Sequence, residues 1–92
     1  MERVRARVIV GGRVQGVFFR HHTQETAFRF GVNGWVKNRR DGRVEAVFEG
    51  DKDRVDQIIQ WCRRGPSGAG VTEIHINWEI YTGEFEDFSV TY

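Results

Sequence analysis

Arg20 sits where a glycine-punctuated loop meets the start of a helix-compatible segment. The run before it is Gly11-Gly12-Arg13-Val14-Gln15-Gly16-Val17-Phe18-Phe19. Such loops aim several backbone N–H groups inward, beside the positive end of the next helix. A guanidinium at that junction can grip two oxygens of one phosphate or carboxylate. The stretch therefore reads as an oxyanion cradle with a charged clamp. The plainer alternative is a tight turn followed by a surface arginine. The loop lacks G-x-x-x-x-G-K-[ST], and Gly11, Gly12 and Gly16 do not fit G-x-G-x-x-G. Of Phe18 and Phe19, adjacent in sequence, one is expected to pack under the loop and stiffen it. N–H groups bind an anion well only if already aimed.

Other residues invite chemistry. His21 and His22 follow the arginine, and histidine as a residue type is the usual acid-base group near neutrality. Neighbouring helical residues point about 100° apart, so at most one faces the site. The expectation is a pair of first-turn surface histidines. Asn38 is a polar residue on a strand face beside a turn. The residues alone leave it open whether it stabilises the turn or serves a site. Cys62 lies on an apolar helical stripe and reads as a core residue. No His, Cys, Asp or Glu cluster has metal-ligand spacing, so no metal and no cofactor are expected.

The elements that must position these groups follow from periodicity. Val4, Ala6, Val8 and Val10 alternate with Arg3, Arg5 and Arg7, giving a half-buried strand over residues 3 to 10. Its arginines are expected on a solvated sheet face beside Glu73, His75 and Glu79. Residues 20 to 31 predict a first helix with Thr23, Ala27 and Phe30 as its stripe, Phe28 covering a sheet edge and Gly31 at its end. Residues 34 to 49 predict a hairpin whose Asp41-Gly42 favours a tight turn. Asp51 is the expected N-cap of a second helix with Val55, Ile58, Ile59 and Cys62 as its stripe and Trp61 flanking it. Gly65-Pro66 stops it. Ile74, Ile76, Trp78 and Ile80 alternate in a further strand, and a short strand or edge closes the chain. The order β-α-β-β-α-β predicts an α+β fold, with two helices on one face of an antiparallel sheet.

Ninety-two residues make one small domain, 1–92, with 39% hydrophobic content and no repeat or linker. Fourteen basic and 13 acidic residues give a net charge of +1. That balance argues against general attraction to nucleic acid or membrane. No run approaches a span of ~20 apolar residues. The N-terminal Met-Glu-Arg-Val-Arg-Ala-Arg carries no apolar signal segment, and a single Cys forms no internal disulfide. A cytoplasmic monomer is expected.

Two stretches together resemble the acylphosphatase family. The first is Gly12-Arg13-Val14-Gln15-Gly16-Val17 followed by Phe19-Arg20. The second is Gly34-Trp35-Val36-Lys37-Asn38, then Asp41-Gly42 and Val44-Glu45. The resemblance runs on to the C-terminal Tyr81-Thr82-Gly83-Glu84-Phe85 and Tyr92. It implies the ferredoxin-like α/β sandwich with a short C-terminal strand. It implies hydrolysis of acyl phosphates, a small-molecule substrate class, to a carboxylate and phosphate. On that reading the phosphate sits among the N–H groups of Gln15, Gly16, Val17, Phe18, Phe19 and Arg20, clamped by Arg20. Asn38, by its motif position, holds the attacking water. The substrate phosphate takes the water's proton, and inorganic phosphate or sulfate should inhibit. The rival expectation is a non-catalytic anion- or nucleic-acid-binding module on the same fold. The RNA-binding signature K/R-G-F/Y-G/A-F-V-x-F/Y is absent.

Overall fold

The computed structural model describes residues 2–92. Its elements run β1 (Arg3–Arg13), α1 (Phe19–Phe30), β2 (Asn33–Asn38), β3 (Val44–Asp51), α2 (Lys52–Arg64), β4 (Gly70–Glu79) and β5 (Phe88–Thr91). The strands form one sheet in the order β4-β1-β3-β2-β5. Both helices cover the same face, the expected ferredoxin-like sandwich. The core on that face joins Ala6, Val8 and Val10 of β1, Val36 of β2, and Val44, Ala46 and Phe48 of β3. Ala27 of α1 and Val55, Ile58, Ile59 and Cys62 of α2 press down on them.

The α2 stripe is buried as its spacing predicts. In α1, Thr23 and Ala27 are buried as expected, but Thr26 joins them and Phe30 stays half-buried. The hydroxyls of Thr23 and Thr26 donate to the carbonyls of Phe19 and His22, one turn back, so both polar groups are satisfied inside the core. Phe28 covers nothing and is 62% exposed.

Several expectations shift. β1 runs past residue 10 to Arg13, because β4 supplies partners there: Gly11 faces Glu73 and Gly12 faces Val71 across a bulge. The sheet is mixed, since β5 lies parallel to β2 while every other pair is antiparallel. The hairpin turn is not the tight two-residue type. The Arg39 N–H donates to the Arg43 carbonyl and the Gly42 N–H to the Arg39 carbonyl. That leaves Arg40, Asp41 and Gly42 as a three-residue loop. Only Gly42 has positive φ, at 90°, the glycine place in such a loop. Asp51 does occupy the N-cap of α2, yet its side chain caps nothing. Its carboxylate pairs with Arg3 at 3.3 Å instead.

The face away from the helices carries the first-strand arginines. Arg5 reaches Glu79, Glu84 and Glu49 at 3.0, 2.7 and 3.3 Å. Arg7 reaches Glu45 and Glu79 at 2.6 and 2.8 Å. The expected partner Glu79 is thus there. Glu73 instead approaches Arg43 and His75.

The segment 80–87 links β4 at one sheet edge to β5 at the other, and Glu49 of β3 catches it on the way. Glu49 is 2% exposed and accepts from the Thr82 N–H, the Thr82 hydroxyl and the Gly83 N–H at 2.9, 3.1 and 3.1 Å. Nothing in the periodicity of β3 announces that anchor.

Candidate active site

A cavity of about 550 Å3 opens where the β1–α1 loop, the end of β2 and the end of β5 meet. Val14, Gly16, Phe18 and Phe19 line it from the loop. Arg20, His21 and Gln24 line it from α1, and Asn38, Val90 and Tyr92 from the sheet edge. Arg20 and Asn38 therefore face one space although they lie on different elements.

The loop is rigid for visible reasons. Val14 is buried, and Val17 packs partly against the core. Phe19 is the aromatic that goes under the loop: it is 2% exposed and packs at a tilt against Trp61 with centroids 5.5 Å apart. Gly16 has φ of 77°, and a Cβ there would meet nothing within 4 Å. It thus turns the chain and leaves the space above it open. The first helical hydrogen bond of α1 runs from the His22 N–H to the Phe18 carbonyl. The N–H groups just before it have no acceptor one turn back. Among the described residues, the N–H groups of Gln15, Gly16, Val17 and Phe18 donate to no protein acceptor. That is a row of donors at a helix's positive end.

Gln15 takes an unexpected direction. Its carboxamide N–H2 leaves the cavity and donates to the Arg39 and Arg43 carbonyls at 2.8 and 3.0 Å. Those carbonyls belong to the hairpin directly after Asn38. Gln15 therefore ties the loop to the strand end that carries Asn38. Its side chain holds the loop and the strand end in register, and Gln15 itself is not among the residues that line the cavity.

Arg20 is half-buried and has no carboxylate partner among the described residues. One Nη donates to the Thr91 carbonyl at a long 3.4 Å. The guanidinium carbon lies 4.7 Å from the Tyr92 ring centroid. Gln24 donates to the Phe88 carbonyl at 3.0 Å, which ties α1 to β5 and keeps that ring in place. Sequence reasoning noted Tyr92 only as a closing aromatic. Its role as Arg20's side wall depends on β5 lying beside β2.

Of the two histidines, His21 lines the cavity and His22 does not. Both approach Glu25, at 3.8 and 3.2 Å, on the surface of α1. Asn38 lies opposite Val44 in the register and makes no side-chain hydrogen bond to another described residue. Its amide is free to meet a ligand or water. Cys62 is fully buried, and burial pushes its thiol up to about 12, so it is not a nucleophile. Among the described residues, no three His, Cys, Asp or Glu side chains converge to hold a metal.

In this small α+β protein, a guanidinium without a carboxylate partner and an amide without a hydrogen bond, both among the described residues, line one cavity, and loop N–H groups without a protein acceptor lie at its wall. Comparison with known proteins gives the family. A family model described as Acylphosphatase matches residues 6–90. An acylphosphatase of Pyrobaculum islandicum is 55% identical over 91 residues, covering 98% of this chain and 96% of its own. One from Pelotomaculum thermopropionicum is 48% identical over 92 residues and the full length of both. The crystal structure of acylphosphatase from Bacillus subtilis superposes with a TM-score of 0.93 at 37% identity, over 97% of this chain and 99% of that one. The chain belongs to the acylphosphatase family.

Proposed function

We propose that Arg20 and the N–H groups of Gln15 to Arg20 hold the phosphate of an acyl phosphate while Asn38 holds the attacking water. The family's reaction, hydrolysis of the carboxyl–phosphate bond to a carboxylate and inorganic phosphate, is the chain's activity. What carries the assignment of roles is Arg20: a guanidinium without a carboxylate partner, facing the same cavity as Asn38.

The chemistry fits these parts. Phosphoryl transfer asks the protein mainly for positioning and charge stabilisation. The planar fork of Arg20 meets two phosphate oxygens, and the loop N–H groups meet the third. The Asn38 amide accepts a hydrogen bond from water and aims its lone pair at phosphorus. The leaving carboxylate is a weak base and needs no general acid. The phosphate itself takes the water's proton, so no side chain changes protonation state. Gln15 sets the spacing between cradle and water through the two hairpin carbonyls.

The nucleic-acid reading gains no support. A binder of this topology stacks bases on the open sheet face, and here Arg5 and Arg7 fill that face with carboxylate pairs. Among the described residues, no helix is long and apolar enough to cross a membrane. A monomer working in the cytoplasm is the reading we adopt, and its buried, unpaired Cys62 accords with it.

Inorganic phosphate and sulfate test the cradle directly. Either should compete with acyl phosphate and raise the melting temperature. A ligand that binds only the folded state stabilises it by about 2.7 kcal/mol at a hundredfold excess over Kd. Phosphate that neither inhibits nor stabilises would remove the cradle.

A further inference from the structure

Phe18 is the single non-glycine residue with positive φ among the described residues, at φ 58° and ψ 29°. A bulky side chain is strained there, whereas Gly or Asn adopts the conformation readily. Burial does not repay the strain, because Phe18 is 76% exposed. Capping does not repay it either, since its side chain makes no cap hydrogen bond. The apolar demand beneath the loop is already met by Phe19 against Trp61. A strained residue with no structural return, at the wall of a site, points to function.

The direction of the reaction says which function. The cavity adjoins a second groove of about 540 Å3, and the two share Asn38 and Tyr92. Phe18 and His21 line the first cavity only. The Asn38–Tyr92 border is thus one side of the site, and the start of α1 is another. In-line displacement puts the leaving group opposite the attacking water. With water at Asn38 and phosphate on the loop, the acyl half points away from the border, toward the start of α1. Lys37 and Arg40, neither with a carboxylate partner among the described residues, line the second groove, on the water's side, where an acyl half does not reach.

We propose that the exposed ring of Phe18 is the platform for the acyl half, and that the chain favours acyl phosphates with an apolar chain or ring over acetyl phosphate. The proposal rests on the assignment of water to Asn38 and phosphate to the loop. It makes Phe18 a specificity-determining residue whose backbone serves the phosphate and whose side chain serves the leaving group.

A chain-length series tests it. Acetyl, butanoyl and hexanoyl phosphate release carboxylates of nearly equal basicity, so differences in kcat/KM report contact and not reactivity. For the wild type, kcat/KM should rise about twofold per methylene, roughly half the gain of full burial in free-energy terms. Phe18→Asn, which suits the backbone conformation, should flatten the slope while the melting temperature holds or rises. Phe18→Trp should keep the slope. A flat wild-type series, or a Phe18→Asn slope equal to the wild type's, overturns the platform. Phosphate inhibition measured in each protein separates the two levels. Competitive phosphate with a failed slope counts against Phe18 alone. A sound slope without phosphate competition rejects the cradle and, with it, the direction that places the acyl half on Phe18.

Discussion

Arginines at two places in this small molecule behave in opposite ways. On the open sheet face, Arg5 and Arg7 are locked to Glu45, Glu49, Glu79 and Glu84 at 2.6 to 3.3 Å. At the cavity, Arg20 has, among the described residues, a carbonyl at 3.4 Å and an aromatic ring beside it. In the first pattern Nε and one Nη of each guanidinium are bound to carboxylates of the protein. The second leaves the fork without a carboxylate among the described residues, as the proposed oxyanion site requires. What distinguishes Arg20 from Arg5 and Arg7 is that it has no carboxylate partner among the described residues and lines a cavity.

The sharpest way to break this comparison is to shorten the fork. Arg20→Lys keeps the charge and loses the two-pronged geometry. Turnover should fall on the order of 10²–10³-fold, the cost of one well-aimed donor. Arg7→Lys, on the other face, should leave turnover near the wild-type value. Equal losses in both would erase the distinction between the two regions.

A second test reverses the readout. Glu49→Ala removes the anchor of the 80–87 segment and leaves the Thr82 and Gly83 N–H groups and the largely buried Arg5 guanidinium short of an acceptor. Stability should drop by about 3 kcal/mol, as expected when one partner of a buried charge network is removed. For a domain of this size that is on the order of 15 °C in melting temperature. A change under a few degrees would show that the strap is held by something else.

Asn38→Ala sharpens the division within the site. Turnover should fall on the order of 10²-fold, the usual cost of lost positioning. Phosphate affinity should stay near the wild-type value, because Asn38 holds water. If phosphate binding weakened as much as in Arg20→Lys, both residues would belong to the cradle.

The smallest effect concerns pH, and it separates the regions again. Hydrogen bonds from Arg7 and Arg5 hold the Glu79 carboxyl below its usual range, and bonds from Arg5 and Thr82 do the same for Glu84. Asp41 is lowered by the Arg43 side chain and backbone. Their folded values lie below the unfolded ones, so their contribution is complete above about pH 4.5. It is lost as pH falls through the lowered values. The melting temperature should therefore decline modestly from about pH 4.5 downward, less so in high salt. Turnover at saturating substrate should be flat from about pH 5.5 to 8, because no side chain gives or takes a proton in the proposed step. The double change His21→Gln, His22→Gln should keep most of it. An acidic limb near pH 6.5 that vanishes with the histidines would move His21 into the mechanism, since it lines the cavity and His22 does not.

The sequence by itself determined what short-range pattern encodes. Alternation marked β1, the i, i+3, i+4, i+7 stripe marked α2, and the two motifs singled out Arg20 and Asn38. Such signals are local because a side chain's facing depends on its neighbours' periodicity. Only the tertiary structure decided the rest. Asn38 and Arg20 share a cavity because β2 and α1 pack side by side. The parallel pairing of β5 with β2 sets Tyr92 against Arg20. Gln15 turns toward the hairpin carbonyls, Glu49 anchors a segment far along the chain, and Phe18 stays exposed in a left-handed turn. Each of these depends on groups distant in sequence meeting in space, where buried donors need acceptors and charges need partners.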